Sequence, residues 1–196
     1  MRIARCLLIL VLAGIIAGCT SSAEKTQQAI DSPMVVKSKV EPGVDFSQFE
    51  TWAWVPLKAE AQIDSRIDSP EFKTMLKDAV EREMYTRGYR RVEVSEQPSL
   101  LVNVHATVED IDAKYIDEHY DGDYYPEYRT EIGGKKLSEE WKEGSVIIIL
   151  FDTKTMQAVW GGGVQTEAFE DLPEDARRQR VDKGVRQIMD TLPRRK

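Results

Sequence analysis

The body of this chain has no thiol. Of its 196 residues only Cys6 and Cys19 are cysteines, one inside an N-terminal apolar run and the other just past its end. The remainder therefore has nothing for a disulfide, a thiolate metal site or a cysteine nucleophile. Histidine is nearly as scarce. His105 and His119 are the two, and two imidazoles without a usable cysteine do not make a structural zinc site. No apolar run is long enough to cross a bilayer, which takes roughly 20 residues, because the stretch 6–16 is too short. Positive charge is also in deficit, with 27 Lys plus Arg against 34 Asp plus Glu and a net charge of −7. Without a basic stripe to neutralise phosphates, nucleic acid is excluded as a partner.

What the N-terminus does have is an export signal. Arg2 and Arg5 precede the apolar run, and Ile16-Ala17-Gly18 bring small residues up to Cys19. This is the pattern of a bacterial lipobox, in which the cysteine is acylated and becomes the first residue of the mature protein. It divides the chain into a leader over 1–18, a flexible tether over 19–33 and a single α+β domain over 34–196. Losing Arg2 and Arg5 takes Lys plus Arg from 27 to 25 and the net charge from −7 to −9. One acyl chain holds a protein only marginally, so such lipoproteins carry a diacylglycerol on the sulfur and a further palmitate-type chain on the amine. Asp after the cysteine favours the inner membrane. Here Thr20 follows, which points to the outer membrane with the domain facing the periplasm. The expected partners are the membrane, through the lipid on Cys19, and an envelope protein. The stretch 20–33 is small and polar, with an expected mean reach of about 20–25 Å as a slack chain.

Past the tether, 34–40 has strand character and Pro42-Gly43 ends it. Trp52 and Trp54 alternate in a second strand closed by Pro56. A helix is predicted from Asp68-Ser69-Pro70, with Phe72, Leu76, Ala79, Val80 and Met84 on one face and Gly88 as its stop. Asp78–Arg82 and Glu83–Arg87 are i,i+4 pairs expected on its wet face. Residues 98–109 alternate as a strand with Leu100, Val102, Val104 and Ala106 buried and Asn103 and His105 on a polar face. The run 146–151 is a central strand, 152–155 a turn and 158–168 its hairpin partner. A last helix starts near Pro173 with Val181, Val185, Ile188 and Leu192 as its stripe. The whole predicts an α+β two-layer sandwich: a mixed or antiparallel sheet of about five strands with two helices on one face.

Residues 45–54 (Asp45-Phe46-Ser47-Gln48-Phe49-Glu50-Thr51-Trp52-Ala53-Trp54), Arg87-Gly88-Tyr89, 98–106 and the strand 144–152 leading into Val159-Trp160-Gly161-Gly162-Gly163 carry a family pattern. On these motifs the chain resembles the bacterial lipoprotein family known as domain of unknown function 4136, over roughly 35–193. It departs at Ser99, where the family usually has Asp, and at Gly161, where a basic residue is common. The resemblance implies a periplasmic α/β lipoprotein and brings no activity with it.

No chemistry stands out against this background. Asp117, Asp121 and Asp123 do not form a calcium loop, because one begun at Asp117 has His119 at its third position and Tyr128 at its twelfth. Gly161-Gly162-Gly163 lies within a strand, where glycine marks a bulge or a close backbone approach and not a phosphate cradle. No catalytic residue, metal ligand or cofactor is expected, and the domain is expected not to be an enzyme. The candidate interaction surface is the polar sheet face at Asn103 and His105 together with the Tyr-rich excursion over 110–143, above all Tyr120, Tyr124, Tyr125 and Tyr128. Those tyrosines could equally fold down over the sheet. The alternative function is a binding module that holds a small or lipidic ligand between excursion and sheet. An envelope hydrolase is the third class, and would need His105 buried against Glu109 and an acid of the excursion.

Overall fold

A helix opens the computed structural model, which describes residues 17–56, 69–107, 131–133, 135–136, 145–167, 169 and 172–194. This α1 (Ala17–Asp31) is followed by β1 (Met34–Val40), a 3-10 turn at Phe46–Gln48, and β2 (Thr51–Trp54). Next come α2 (Pro70–Thr86), a two-residue β3 (Arg90–Arg91), a second 3-10 turn at Val94–Glu96 and β4 (Leu100–Thr107). A small ladder of β5 (Glu131–Ile132) and β6 (Lys135–Lys136) precedes the hairpin of β7 (Ser145–Asp152) and β8 (Gln157–Thr166), and α3 (Glu174–Met189) ends the fold.

The main sheet runs β1–β8–β7–β4–β2–β3. Neighbours from β1 to β4 are antiparallel, whereas β2 pairs parallel to both β4 and β3. The parallel part follows from the connection, since a strand rejoined through a helix comes back in the same direction. The fold is thus α+β as expected, with six strands in the main sheet and not about five. The additions are local: β3 is two residues long, too short to leave a pattern.

The α2 boundaries come from the residues that flank it. Ser69 Oγ accepts the Phe72 N–H at 3.1 Å, and Pro70 takes the first helical position, where its missing N–H costs nothing. At the other end Gly88 adopts φ +83°. Its N–H reaches Tyr85 O at 2.9 Å and the Tyr89 N–H reaches Met84 O at 3.1 Å, the double bond pattern of a Schellman stop.

Both α2 and α3 lie on one face of the sheet. Leu76, Ala79, Val80 and Met84 of α2 and Val185, Ile188 and Met189 of α3 join Leu100, Val102, Val104, Ile148, Leu150 and Trp160 in the main core. A bulge in the β7–β8 ladder, where Leu150 pairs Trp160 but Phe151 pairs Ala158, lets Val159 and Trp160 both turn to this side. The helices are also tied by charge. Arg87 donates to Glu83 Oε2 at 2.5 Å, to Asp190 Oδ1 at 2.7 Å and to the Met189 carbonyl at 2.9 Å. Glu83–Arg87 is therefore not the wet-face pair expected; Glu83 is buried between the helices. Arg82 reaches across to Asp182 at 2.5 Å and makes no pair with Asp78.

Two further expectations fail. The opposite sheet face is not a polar face open to water, because Ala53, Val55, Leu101, Ile147, Ile149, Phe151 and Ala158 form a second apolar cluster there. Ile132 of β5 enters this cluster, and Gly133 N–H donates to Glu41 Oε2 at 2.7 Å, so a piece of the excursion is laid on the sheet. The stretch 19–33 is not a slack tether either. It is helical through Asp31, and its last turn is seated on α3.

Candidate interaction surface

Pairing register sets out what the second face presents. In one row Lys39 of β1, Gly161 of β8, Ile149 of β7 and Asn103 of β4 stand side by side; in the next stand Lys37, Gly163, Ile147 and His105. The absence of side chains at Gly161 and Gly163 lowers the middle of this face, and β5 lies against β8. Asn103 and His105 are only 6% and 7% exposed. Asn103 Oδ1 accepts the next residue's N–H, from Val104, at 2.8 Å. The two polar residues that alternation placed on a wet surface are therefore interior. They remain neighbours on β4, but they are not a surface.

The tyrosines Tyr120, Tyr124, Tyr125 and Tyr128 lie outside the described residues, as do His119, Asp117, Asp121, Asp123 and Glu109. Cys19 falls in the first turn of α1, and its side chain lies outside the described residues too. Among the described residues no cluster of His, Cys, Asp or Glu is placed to hold a metal ion. Among them also, no helix is long and apolar enough to cross a membrane.

Gly162 resolves the meaning of the glycine run. A Cβ built there would stand 2.5 Å from the Trp160 ring and 2.7 Å from Ile188 Cγ2. The middle glycine thus lets Trp160 lie across β8 and lets α3 come down onto the sheet, as a close approach and with no bearing on phosphate.

One polar centre was missed by sequence reasoning. Arg180 of α3 is 8% exposed and gathers four partners: the Ala29 carbonyl of α1, Thr166 Oγ1 at 2.8 Å, the Glu167 carbonyl at 3.0 Å and the Phe169 ring at 4.6 Å. Burial pushes the guanidinium's pKa down, and the Glu167 carboxylate opposes that shift. Lys183, one turn on, donates to the Ile30 carbonyl at 3.0 Å. The available signal was spacing: Ala176, Arg180, Gly184 and Ile188 recur every four residues and all are buried, so Arg180 is a cation set in an inward stripe.

The sequence matches the family described as "Domain of unknown function (DUF4136)" over residues 36–194. No curated protein matches it. Among solved structures the fold is similar to a DUF4136 family protein from Bacteroides thetaiotaomicron, at 16% identity and a TM-score of 0.54, covering 80% of this chain and 96% of that one. It also overlaps the PelC dodecamer from Paraburkholderia phytofirmans, at 11% identity and a TM-score of 0.48, over 84% of this chain and 100% of that one. A PDZ domain protein from Parabacteroides distasonis, at 16% identity and a TM-score of 0.46, is covered over 40% of its length by 89% of this chain. The first likeness concerns the fold alone, and the family match begins inside β1, so α1 precedes it. From β1 to the end of α3, this chain belongs to the DUF4136 family.

Proposed function

We propose that this protein is an outer-membrane lipoprotein, held by lipid on Cys19, whose periplasmic domain works by binding another envelope protein and not by catalysis. The observation that carries the reading is the N-terminal sequence: Arg2 and Arg5, an apolar run too short to span, and Ile16-Ala17-Gly18 leading into Cys19 and Thr20. The composition of 110–143 supports an interaction role. Among the described residues of that segment, Ile132 joins the apolar cluster on the sheet and the Gly133 N–H donates to Glu41 Oε2. Tyrosines offer large contact area with a polar tip at little entropic cost, a composition suited to recognition.

Metabolic labelling with an alkyne fatty acid tests the anchor. The wild type takes up label and sediments with outer membranes, whereas Cys19→Ser is unlabelled and leaves the membrane fraction. A membrane-bound, unlabelled wild type contradicts the anchor. In-cell crosslinking from a photoreactive residue at Tyr125 tests the second half. A discrete adduct that disappears when the probe is moved to Arg82, on the helix layer, supports a protein partner. The same adducts from both positions, or none, contradict it.

A further inference from the structure

The helix between Cys19 and the domain has little to hold it up by itself. Ala17–Asp31 is made mostly of small and polar residues, and at 15 residues an isolated helix of such composition is marginal in water. Its own sequence makes matters worse at the C-terminus. The last turn has no basic residue and ends on Asp31, an acid beside the negative end of the helix dipole. Its cations come from elsewhere in the chain. Arg180 donates to the Ala29 carbonyl and Lys183 to the Ile30 carbonyl, both from α3, about 150 residues away in sequence. Ala29 is 1% exposed against α3, whereas residues 22–25, 27 and 28 are exposed. The exit is fixed as well: Ser32 N–H bonds back to Ala29 O at 3.3 Å, and Thr166 Oγ1 donates to Pro33 O at 3.2 Å while accepting from Arg180.

We propose that Arg180 and Lys183 form a latch that seats the last turn of α1 on α3. The lipid is thereby joined to the domain through a short rigid stalk instead of a slack tether. The stalk half of this statement rests on the anchor reading; the latch does not. From Cys19 to the seated Ala29 the helix rises about 15 Å, at 1.5 Å per residue. A released chain of the same ten residue steps would have a mean reach of about 16–19 Å and extend to about 35 Å. The seated state fixes both the height of the domain above the membrane and the end it turns toward it: the end holding Pro33, Thr166 and the N-terminal half of α3. The proposal concerns residues ahead of the family match, which starts at 36, acting through two residues inside it.

Amide hydrogen exchange on the full-length protein in detergent tests the latch. In the wild type, amides of 25–31 are protected at least tenfold over free-peptide rates. Arg180→Met returns them to within about twofold of those rates while β7 amides keep their protection. Because Arg180 also bonds Thr166 and Glu167, Ala29→Lys is the paired variant; it leaves those two partners in place, sets a long cationic side chain against Arg180 and Lys183, and gives the same loss. Free-peptide exchange over 25–31 in the wild type overturns the latch, as does Ala29→Lys with protection intact. Intact mass on the same sample separates the two ideas. A protected helix on an unlipidated chain keeps the latch and removes the anchor; an unprotected helix on a lipidated chain does the reverse.

Discussion

Gly162 is the position where a single added carbon would be felt by both layers. A methyl there meets the Trp160 ring at 2.5 Å and Ile188 at 2.7 Å, and neither neighbour is a flexible surface group. Gly162→Ala is therefore expected to cost about 1–3 kcal/mol, the range for overpacking a filled core. Equilibrium urea unfolding checks it, and an unmoved midpoint would show that α3 does not sit where we place it. The sequence signalled a close approach at this glycine run without saying which glycine makes it, because that depends on pairing register and on the helix above. Asn103 and His105 mislead for a related reason. Polar residues at every second position mark one sheet face, but alternation in β4 cannot say whether a later segment will be laid over that face. Ile132 arrives some thirty residues on and joins the apolar cluster on that face. Arg180 was hidden by its type: an arginine on a helix is ordinarily a surface residue, and only its four-residue spacing with Ala176, Gly184 and Ile188 set it apart.

Elements whose ends are written locally were the legible ones. Ser69-Pro70 starts α2 and Gly88 stops it, through contacts within four or five residues of each end. Ser69→Ala should thus lower stability by about 1 kcal/mol, as a lost N-cap does, with a matching fall in thermal midpoint. Strands β4, β7 and β8 were legible from their apolar pattern for the same reason. Contacts made across a hundred residues were not. Arg87 was expected in a solvated pair within its own helix, yet it also binds Asp190 and the end of α3, and its partner Glu83 is buried. Arg87→Met would leave Glu83 in the interface with Arg186 alone, at 3.5 Å. A cost of about 2–3 kcal/mol is expected, below the 3–5 of a fully buried pair because some of the Arg87 side chain still meets water. If Arg87→Met unfolds with the wild type's midpoint, the node does not tie the helices. The helix α1 is the extreme case: its polar composition reads as a tether, and the side chains that bond its last carbonyls are an arginine and a lysine of α3.

Across the molecule, a family fold follows an N-terminal sequence with the pattern of a lipid-anchor signal. The DUF4136 match spans the sheet and both core helices, and supplies no chemistry. What separates this chain's behaviour from its fold lies at the two attachments outside that core: the excursion fastened by Ile132, and the helix that runs from Cys19 to the latch. Both would present a fixed domain to the envelope, one toward a partner and one toward the membrane. The anchor and the stalk depend on Cys19 being the first residue of the mature protein. The direct measurement is intact-mass spectrometry of the protein extracted from membranes in detergent. A mass equal to residues 19–196 plus a diacylglycerol, with or without a further acyl chain, is the predicted result. An unmodified chain, uncut or cut at another bond, would contradict the anchor and with it the stalk.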